Sequence, residues 1–509
     1  MHITDAMKPR VAELEPNGQS TKICSGDLVW FSVFLFLGSL AVLYRFYALG
    51  FLAAVATLGL GWLTLAYVRR AGLEVWQMLA LIALAGYMVL NYGFENLTLH
   101  LGGVPVIIGY GLMYASLALA VFSRRHFMIS TLKEPAVFCL AALLALTSLH
   151  LVFDIPSYGI WAVRDASLFL DGIFFVLGLL WASKKGSTIP LLKGLFVIFL
   201  LNLTYAFSYP WREQIQSWSP ASGVFVRVPI LGRYHATYVV LLAGALFCLA
   251  LGTYVATWPR WTMVFLAVAQ LLGLGIHQYR ATYISIAVIL ILLMLLGEMR
   301  KSAILLITTC SALVVLVSIT SLGIKIPGRF GEVNAAFFQE HIRSLSGASG
   351  TPGSHIDARL YWYDEVSKRI RSNMLIGEGF GKPLTNEINN ENGSVIRQPH
   401  NSHISVLARL GALGLALWVS FHFCIVKRYI HMLRKRARGD AKAYQIVLWF
   451  FLLYTILMIV ASVQPGFEFA TGSIPFYFCM GFALGFMRWG VLREIKENHP
   501  RQSAAHYPW

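Results

Sequence analysis

Long apolar stretches separated by short polar segments follow one another along almost the whole chain. After a polar start covering residues 1–26, stretches long enough to cross a hydrocarbon core of roughly 30 Å recur about fourteen times. They lie near residues 28–44, 47–67, 74–94, 103–122, 134–153, 165–182, 190–208, 235–256, 261–277, 281–297, 302–320, 404–426, 446–463 and 472–488. The first two lie close on either side of Arg45 and could form one long or re-entrant element. The pattern therefore predicts an all-α polytopic membrane protein with about 12–14 transmembrane helices.

Basic residues are concentrated in every second connection between these stretches. The clusters are Arg69-Arg70, Arg124-Arg125, Lys184-Lys185, Arg260, Arg300-Lys301, the run from Lys427 to Arg438, and finally Arg488, Arg493 and Lys496. Cytoplasmic connections carry an excess of Lys and Arg, so this alternation predicts that both termini are cytoplasmic. The same alternation places the connections 209–234 and 321–403 outside.

With these two long connections, the chain is predicted to have five parts. The parts are a tail over 1–26, a transmembrane bundle over 27–320 with the outer loop 209–234, a long outer loop over 321–403, further transmembrane helices over 404–490, and a tail over 491–509. Loops longer than about 15 residues are usually functional or disordered. In the longer loop, Leu360, Tyr363, Val366 and Ile370 recur at helical spacing among charged residues. This spacing predicts an amphipathic helix over 357–371.

Composition excludes a soluble globular protein. Of 509 residues, 57% are hydrophobic and only 13% are charged, against roughly 25% in soluble domains. The formal charge of +17 would suit a nucleic-acid binder, but the basic residues lie between apolar stretches, as expected of a membrane protein. The six cysteines show neither a disulfide framework nor the spacing of a zinc site.

Arginines in the outer connections are the first candidates for chemistry. Arg227 and Arg233 lie in the first outer loop, Arg359 lies in the second, and Arg280 precedes the stretch 281–297. A cation at a helix start opposes the positive end of the helix dipole, so Arg280 has little structural motive there. A guanidinium in that place can bind phosphate oxygens. The competing interpretation is an arginine that snorkels to a lipid headgroup.

A polar segment at the end of the longer outer loop is the second candidate. It reads Gln398-Pro399-His400-Asn401-Ser402-His403 and leads into the stretch 404–426. Histidine exchanges protons near neutral pH and can therefore act as a general base. His403 lies three residues beyond His400, which makes a metal-binding pair conceivable, but no carboxylate lies at a matching offset. The remaining interpretation is a pair of interfacial histidines.

A glycine-rich segment lies between the amphipathic helix and these histidines. Its sequence, Gly377-Glu378-Gly379-Phe380-Gly381, lacks the spacing of a dinucleotide-binding loop. It predicts a tight turn at which the backbone approaches a partner. Glu378 could orient a histidine, or it could be an ordinary turn residue.

Taken in order, these segments resemble the signature of the O-antigen ligase and O-antigen polymerase superfamily. The likeness rests on Arg359-Leu-Tyr-Trp362-Tyr-Asp-Glu-Val, Ile376 to Gly381, Pro399 to His403, and Leu407-Ala-Arg-Leu-Gly411-Ala-Leu-Gly414, with Gly232-Arg233-Tyr234-His235 and Tyr279-Arg280-Ala281 as two earlier landmarks. It covers most of the chain from residue 190 to residue 490. Any one of these segments alone would be a weak signal.

The resemblance implies a metal-independent glycosyltransferase without a cofactor in the bacterial inner membrane. Such an enzyme works at the periplasmic face of the bilayer on a glycan donor carried by undecaprenyl pyrophosphate. Its acceptor is a lipid-linked repeat or a lipid A-core sugar, and a chain-length regulator is a candidate partner. The residues assigned to catalysis are His400 and Arg280, and those assigned to substrate binding are Arg233, Arg227, Arg359, Asn401, His403 and Glu378.

The acceptor separates two activities that share this chemistry. About fourteen apolar stretches exceed the roughly twelve usual in the ligases, which favours a polymerase of O-antigen or exopolysaccharide repeats. An O-antigen ligase and a protein O-glycosylation ligase are the alternatives within the superfamily. A lipid-glycan flippase is an alternative outside it, but a flippase needs charge along a central path. Here the polar residues are concentrated at one face.

Overall fold

The computed structural model describes residues 72–101, 104–131, 133–225, 227–329, 331–339, 350–386 and 395–490. The chain divides into two compact units, Met1–Gly61 and Trp62–Trp509, and the described residues all lie in the second. The predicted stretches 28–44 and 47–67 and both predicted tails lie outside the described residues.

The described residues are predominantly helical. In chain order, the helices are α1 Val75–Ala85, α2 Tyr92–Glu95, α3 Ile108–Thr131, α4 Pro135–Tyr158, α5 Ile160–Asp165, α6 Ser167–Leu170, α7 Ile173–Ser183, α8 Thr188–Phe207, α9 Arg212–Trp218, α10 Thr237–Ala250, α11 Gly252–Val255, α12 Arg260–His277, α13 Arg280–Leu295, α14 Met299–Ser321, α15 Gly350–Ser372, α16 Ser402–Arg434, α17 Ala441–Val463 and α18 Ala470–Gly485. Two π-helical turns, Gly86–Leu90 and Phe486–Gly490, continue α1 and α18, and two 3-10 turns span Tyr209–Trp211 and Arg436–Gly439.

Two small antiparallel hairpins accompany these helices. Strand β1 Thr98–Leu101 pairs with β2 Val104–Ile107, with Leu101 opposite Val104. Strand β3 Ala221–Ser222 pairs with β4 Val228–Pro229 in the connection between α9 and α10. Both hairpins lie in loops, so the helices determine the architecture.

Many of the helical segments are long enough and apolar enough to span a bilayer. Seven qualify by length and composition: Pro135–Tyr158, Thr188–Phe207, Arg260–His277, Met299–Ser321, Ser402–Arg434, Ala441–Val463 and Ala470–Gly490. Four shorter apolar segments span Val75–Leu90, Ser167–Ser183, Thr237–Ala250 and Arg280–Leu295. Each of them coincides with a predicted apolar stretch, and the all-α polytopic membrane fold is confirmed.

Helix α18 lies at the centre of the described bundle. Of its apolar window, 94% is buried, the highest share among the seven long segments. Phe478 packs edge-on against Trp181 of α7 at 5.6 Å between ring centres, and Phe482 packs against Phe450 of α17 at 5.4 Å. Rings of this size bury a large apolar area, so α18 forms the core around which the other helices pack.

At one end of the bundle, ion pairs join helix ends that carry basic residues. Glu74, before α1, pairs with Arg124 of α3 at 2.7 Å and with Lys184, after α7, at 3.1 Å. Glu134, before α4, pairs with Arg488 at 2.6 Å, in the turn that continues α18. We call this the basic end.

At the opposite end, hydrogen bonds gather the other ends of the helices. The Asn91 side-chain oxygen accepts the backbone N–H of Ala236, before α10, at 2.7 Å. The hydroxyls of Ser208, after α8, and Tyr234 lie 2.8 Å apart. Strands β3 and β4 and helix α9 belong to a loop at this end, which we call the site end.

Helix α16 is interrupted near its start. Gly411 has φ 64° and ψ −165°, which is not helical. The Trp418 Nε1–H nevertheless donates to His403 Nδ1 at 3.2 Å across 15 residues, a separation of about 22 Å on a straight helix. Residues 402–410 therefore form a short segment that folds back against the segment after Gly411. The apolar pattern predicted one pass over 404–426, because the hydrophobic residues continue through the break.

Candidate functional site

The glycine-rich segment after α15 pairs with the backbone at the break in α16. The Glu378 N–H donates to the Ala408 carbonyl at 2.8 Å, and the Ala412 N–H donates to the Met374 carbonyl at 2.8 Å. These bonds satisfy a last carbonyl of the first helical segment and a first N–H of the second, groups that a helix end leaves without partners. The predicted tight turn therefore acts as the connector that holds the two halves of α16.

Asp165, at the end of α5, holds the same connector from the other side. Its carboxylate accepts hydrogen bonds from Arg397 at 3.0 and 2.6 Å and from Arg409 at 3.0 Å. The Gly381 N–H donates to the same carboxylate at 3.2 Å. The side chains of Asp165 and Arg409 are only 1% and 3% exposed. A charge this deeply buried needs opposite charges and hydrogen bonds around it, and the network gives the segment before His400 a fixed position.

His400 lies three residues beyond Arg397, directly before the first helical segment of α16. Its φ of 55° is left-handed, a conformation that is uncommon outside glycine and often marks a functional site. Its ring lies 4.8 Å from the ring of Trp362 on α15, at an angle of 40°. Trp362 is buried, with 7% of its surface exposed. The amphipathic helix therefore supplies an apolar surface against which the imidazole rests.

Asn401 and His403 both have local structural contacts. Asn401 caps the helix, since its side-chain oxygen accepts the N–H groups of His403 at 3.0 Å and Ile404 at 3.1 Å. Asparagine is among the preferred residues for this position. The His403 ring accepts the indole N–H of Trp418. Contact of either residue with a substrate, as expected from the sequence, stays a prediction.

Glu468 anchors the start of α16 from the turn between α17 and α18. Its carboxylate accepts the Ser405 hydroxyl at 2.7 Å and also the Ser402 hydroxyl. The Ser402 oxygen in turn accepts the Phe467 N–H at 3.2 Å. Burial raises the pKa of Glu468, and the bonds from the two hydroxyls offset only part of that rise. Two separate buried carboxylates thus hold the chain on either side of His400. Asp165 binds Arg397 before it, and Glu468 binds Ser402 and Ser405 after it.

Arg280 and Arg359 come together at the site end from different elements. Arg280 is the first residue of α13, and Arg359 lies one helical turn before Trp362 on α15. Both are partly exposed, and they lie close enough for the charge of Arg359 to act on Arg280. Two neighbouring guanidiniums repel each other unless an anion lies between them, and phosphate fits their planar donors. The pair adjoins His400 through Trp362.

Arg329 is a site residue that the sequence reasoning did not select. It lies in the turn closed by the bridge between Pro327 and Glu332, and its guanidinium carbon is 4.2 Å from the ring centre of Tyr279. The Tyr279 ring stacks on Tyr238 at 3.8 Å. Since Tyr279 immediately precedes Arg280, Arg329 lies next to the pair of arginines. Its only signal in the sequence is a positive charge in an outer loop, which it shares with many residues.

Arg233 and Arg227 differ in their surroundings. Arg233 is partly buried, and its charge and that of Arg329 reach His235. The surrounding protein and then the charges of Arg329 and Arg233 lower the pKa of His235. Arg227 is exposed directly before β4. It takes no part in the contacts described above for Arg280, Arg359 and His400. We call Arg280, Arg359, Arg329 and Arg233 the cationic group. Arg227 lies outside it.

Glu378 is held by cations rather than by a histidine. It pairs with Lys382 at 2.7 Å and with Arg369 at 3.3 Å. Burial on its own would raise the pKa of Glu378, but the bonds and charges of Lys382 and Arg369 bring it below its usual value. Glu378 is therefore ionised and ties α15 to the connector. In the parts of the chain that the structure describes, no group of three His, Cys, Asp or Glu side chains is placed to hold a metal ion.

Comparison with known proteins shows which family this chain resembles. The family model described as O-antigen ligase matches residues 264–419, a range that contains Arg280, Arg359, Glu378 and His400. A curated protein named O-antigen ligase from Pseudomonas aeruginosa strain PAO1 is 24% identical over 275 residues, which are 49% of this chain and 60% of that protein. The chain therefore spans less than two thirds of the length of that relative. The family is a class of glycosyltransferase-like ligases. The two matches confirm the resemblance to the O-antigen ligase and polymerase superfamily, and residues 264–419 carry the family match.

Proposed function

We propose that this protein transfers a glycan from undecaprenyl pyrophosphate to an acceptor hydroxyl. The observation that carries the proposal is that Arg359, whose charge acts on Arg280, lies one helical turn from Trp362, the ring that His400 contacts. The match of residues 264–419 to the O-antigen ligase family supports it. A flippase would need the guanidiniums but would have no use for a histidine fixed beside them.

The proposed reaction needs two tasks, and the site has residues for both. The acceptor oxygen attacks the anomeric carbon while the bond from that carbon to the diphosphate oxygen breaks, and direct attack inverts the anomeric configuration. Negative charge grows on the leaving diphosphate, where Arg280 and Arg359 stabilise it. His400 accepts the proton of the acceptor hydroxyl as general base. Fixed placement of both reactants lowers the barrier further.

We place the site end at the periplasmic face of the bacterial inner membrane. Lys184, Arg124 and Arg488 lie at the basic end, and membrane proteins keep such residues on the cytoplasmic side. A lipid-linked donor lying in the outer leaflet then presents its diphosphate at the level of the helix ends.

Two acceptors fit this chemistry. The name of the Pseudomonas aeruginosa relative favours ligation of the glycan to a lipid A-core sugar, while the number of apolar stretches favours polymerisation of lipid-linked repeats. The glycan profile of a deletion strain separates them. Loss of all capped lipopolysaccharide with accumulation of lipid-linked polymer indicates a ligase, and caps of a single repeat indicate a polymerase.

The transfer itself is tested with purified protein and a lipid-linked glycan. We expect His400→Ala and Arg280→Ala each to lower the rate by about 100-fold or more, as for loss of a general base or of a group that stabilises charge. His126→Ala, at the basic end, and Arg371→Ala, exposed at the end of α15, are the matched controls and should transfer at the normal rate. Normal transfer by His400→Ala or Arg280→Ala would eliminate the assignment.

A further inference from the structure

We propose that Arg164 of α5 is a further phosphate-binding residue, which acts together with Arg233 on a phosphate group of a lipid-linked substrate. The identity of the ligand rests on the proposed function, but the binding of a phosphate anion does not. Arg164 lies outside the residues matched by the family model, and its case rests on its own surroundings.

The carboxylate next to Arg164 is shared with two other guanidiniums, so it compensates only part of their combined charge. Arg164 Nη1 lies 3.5 Å from Asp165 Oδ1, but this nitrogen makes no hydrogen bond to any residue that the structure describes. Asp165 already accepts four hydrogen bonds, from Arg397, Arg409 and the Gly381 N–H. Three of these bonds end on Oδ2, and the bond from Arg397 Nε ends on Oδ1, the oxygen nearest to Arg164. Three guanidiniums therefore share one carboxylate, and Arg164 Nη1 is the group that donates no hydrogen bond to it.

Aromatic rings hold the Arg164 guanidinium in place. Its central carbon lies 5.4 Å from the ring centre of Trp161 and 5.7 Å from that of Phe225, in the first outer loop. Rings at this distance attract a cation through their faces but offer no acceptor for its N–H groups. The Arg164 side chain is 21% exposed, so a ligand arriving from solvent can reach it.

Arg233, also at the site end, likewise has a buried nitrogen that donates no hydrogen bond. Its Nε is buried and makes no hydrogen bond within the described residues. The charges of Arg164 and Arg233 both act on Tyr92 of α2, and the Tyr92 ring lies 5.0 Å from the ring of His235, two residues after Arg233. A buried donor without an acceptor costs free energy, and a bound ligand with acceptor oxygens would remove that cost for both.

Glu95 is the carboxylate whose charge acts on Tyr92 together with the two arginines. It already accepts a hydrogen bond from the protein. It accepts the Thr471 N–H at the start of α18 at 3.2 Å, and it is one carboxylate beside two guanidiniums. The positive charges therefore exceed the negative ones around Tyr92. An uncharged sugar could not correct this imbalance, whereas a phosphate offers both negative charge and acceptor oxygens.

The pair Arg164 and Arg233 lies next to Arg329, which in turn lies next to Arg280. The charge of Arg233 and that of Arg329 both reach His235, and Arg329 lies on Tyr279, the residue before Arg280. A phosphate at Arg164 and Arg233 is therefore either part of the donor diphosphate or the phosphate that carries the acceptor chain. Both sources have the same chemistry at these arginines.

Binding of inorganic pyrophosphate to the purified full-length protein in lipid nanodiscs tests the proposal without glycan transfer. We expect Arg164→Gln to weaken binding by about tenfold or more, Arg164→Lys to weaken it less because the charge remains, and Arg371→Gln to leave it unchanged. Equal affinity of the wild type and Arg164→Gln, with equal thermal midpoints, would overturn the proposal.

A second measurement keeps the test decisive if the variant does not fold. Phenylglyoxal modifies accessible arginines, and mass spectrometry of the wild-type protein then reports the extent at Arg164. We expect pyrophosphate to protect Arg164 and not Arg371. Modification of Arg164 that is unaffected by pyrophosphate contradicts the assignment.

Kinetics separate the two sources of phosphate and separate this proposal from the proposed function. In glycan transfer, Arg164→Gln should raise the KM of one substrate by about tenfold, the donor if Arg164 binds the diphosphate and the acceptor if it binds the carrier phosphate. A wild-type protein that binds pyrophosphate through Arg164 but transfers no glycan would refute the proposed function alone. Transfer with both KM values unchanged in Arg164→Gln would refute this inference alone.

Discussion

Single carboxylates determine how the site end is held together. Asp165 fixes the segment before His400, Glu468 fixes the residues after it, and Glu95 accepts an N–H at the start of α18. The positive end of a helix dipole favours a carboxylate in the last of these places. None of the three was predicted as a site residue, because their partners are distant in the chain.

Glu95 gives the protein a pH dependence of stability that can be measured. Burial raises the pKa of Glu95 from 4.5 to about 7, so the folded protein binds this proton more tightly than the unfolded chain. The corresponding stability is fully present below the unfolded value of 4.5 and is lost as pH rises through about 7. We expect the thermal midpoint to fall between about pH 5 and pH 8, and to fall less in Glu95→Gln. Glu213→Gln, which changes a carboxylate that is 81% exposed, is the control and should keep the wild-type slope. A slope in Glu95→Gln as steep as in the wild type would show that another group is responsible.

The sequence identified the arginines and the histidine by residue type and position, and the structure shows why others were missed. Arg280 and Arg359 stand out as cations where a membrane protein should have few, and they come together. The surroundings of Arg164 and Arg329 cannot be read from one chain position. Arg164 shares its neighbouring carboxylate with two distant arginines, and Arg329 lies on a tyrosine ring from another loop. The capping role of Asn401 was accessible from the sequence, since asparagine before an apolar helix is a common start signal.

At the scale of elements, the break in α16 is the feature that hydrophobic patterning could not predict. The apolar periodicity locates buried faces, and both halves of α16 have them, so the pattern continues through Gly411. The amphipathic helix was predicted over 357–371 and extends over Gly350–Ser372, because glycine and proline at its start concealed the first turns. Most other helices begin and end within a few residues of the predicted limits.

Replacement of Gly411 tests the importance of the break. A Cβ on Gly411, at φ 64°, would lie 2.4 Å from the Leu375 carbonyl carbon, and backbone cannot move aside as a flexible side chain can. Gly439 has φ 88° but nothing within 4 Å of its Cβ position, which makes it the matched control. We expect Gly439→Ala to cost about 1 kcal/mol from backbone strain, and Gly411→Ala to lower the thermal midpoint considerably more and to impair transfer. Equal effects would mean that the connector is not tightly packed.

At the scale of the whole molecule, the two ends of the bundle differ in character. The basic end has isolated ion pairs between helix ends, whereas the site end has interlocking loops, two buried carboxylates and the cationic group. Sequence alternation predicted this division, since it depends only on counting segments and locating charges. The assembly of the site from α5, α10, α13, α15 and α16 could not be predicted that way, because the order of helices along the chain does not specify their neighbours.

The proposed orientation makes a clear prediction for labelling. Lys368 lies on α15 at the site end and Lys435 lies at the end of α16, and both are exposed. In a variant without the six native cysteines, Lys368→Cys should react with a membrane-impermeant maleimide in intact spheroplasts. Lys435→Cys should react only after permeabilisation. The reverse result would place the site end in the cytoplasm and remove its access to a periplasmic donor.

The side-by-side placement of Arg280 and Arg359 has a further consequence for the resting protein. The charge of Arg359 on α15 acts on Arg280 of α13, so the two guanidiniums repel each other when no anion lies near them. A bound diphosphate converts that repulsion into attraction to a shared centre, so occupancy and thermal resistance rise together.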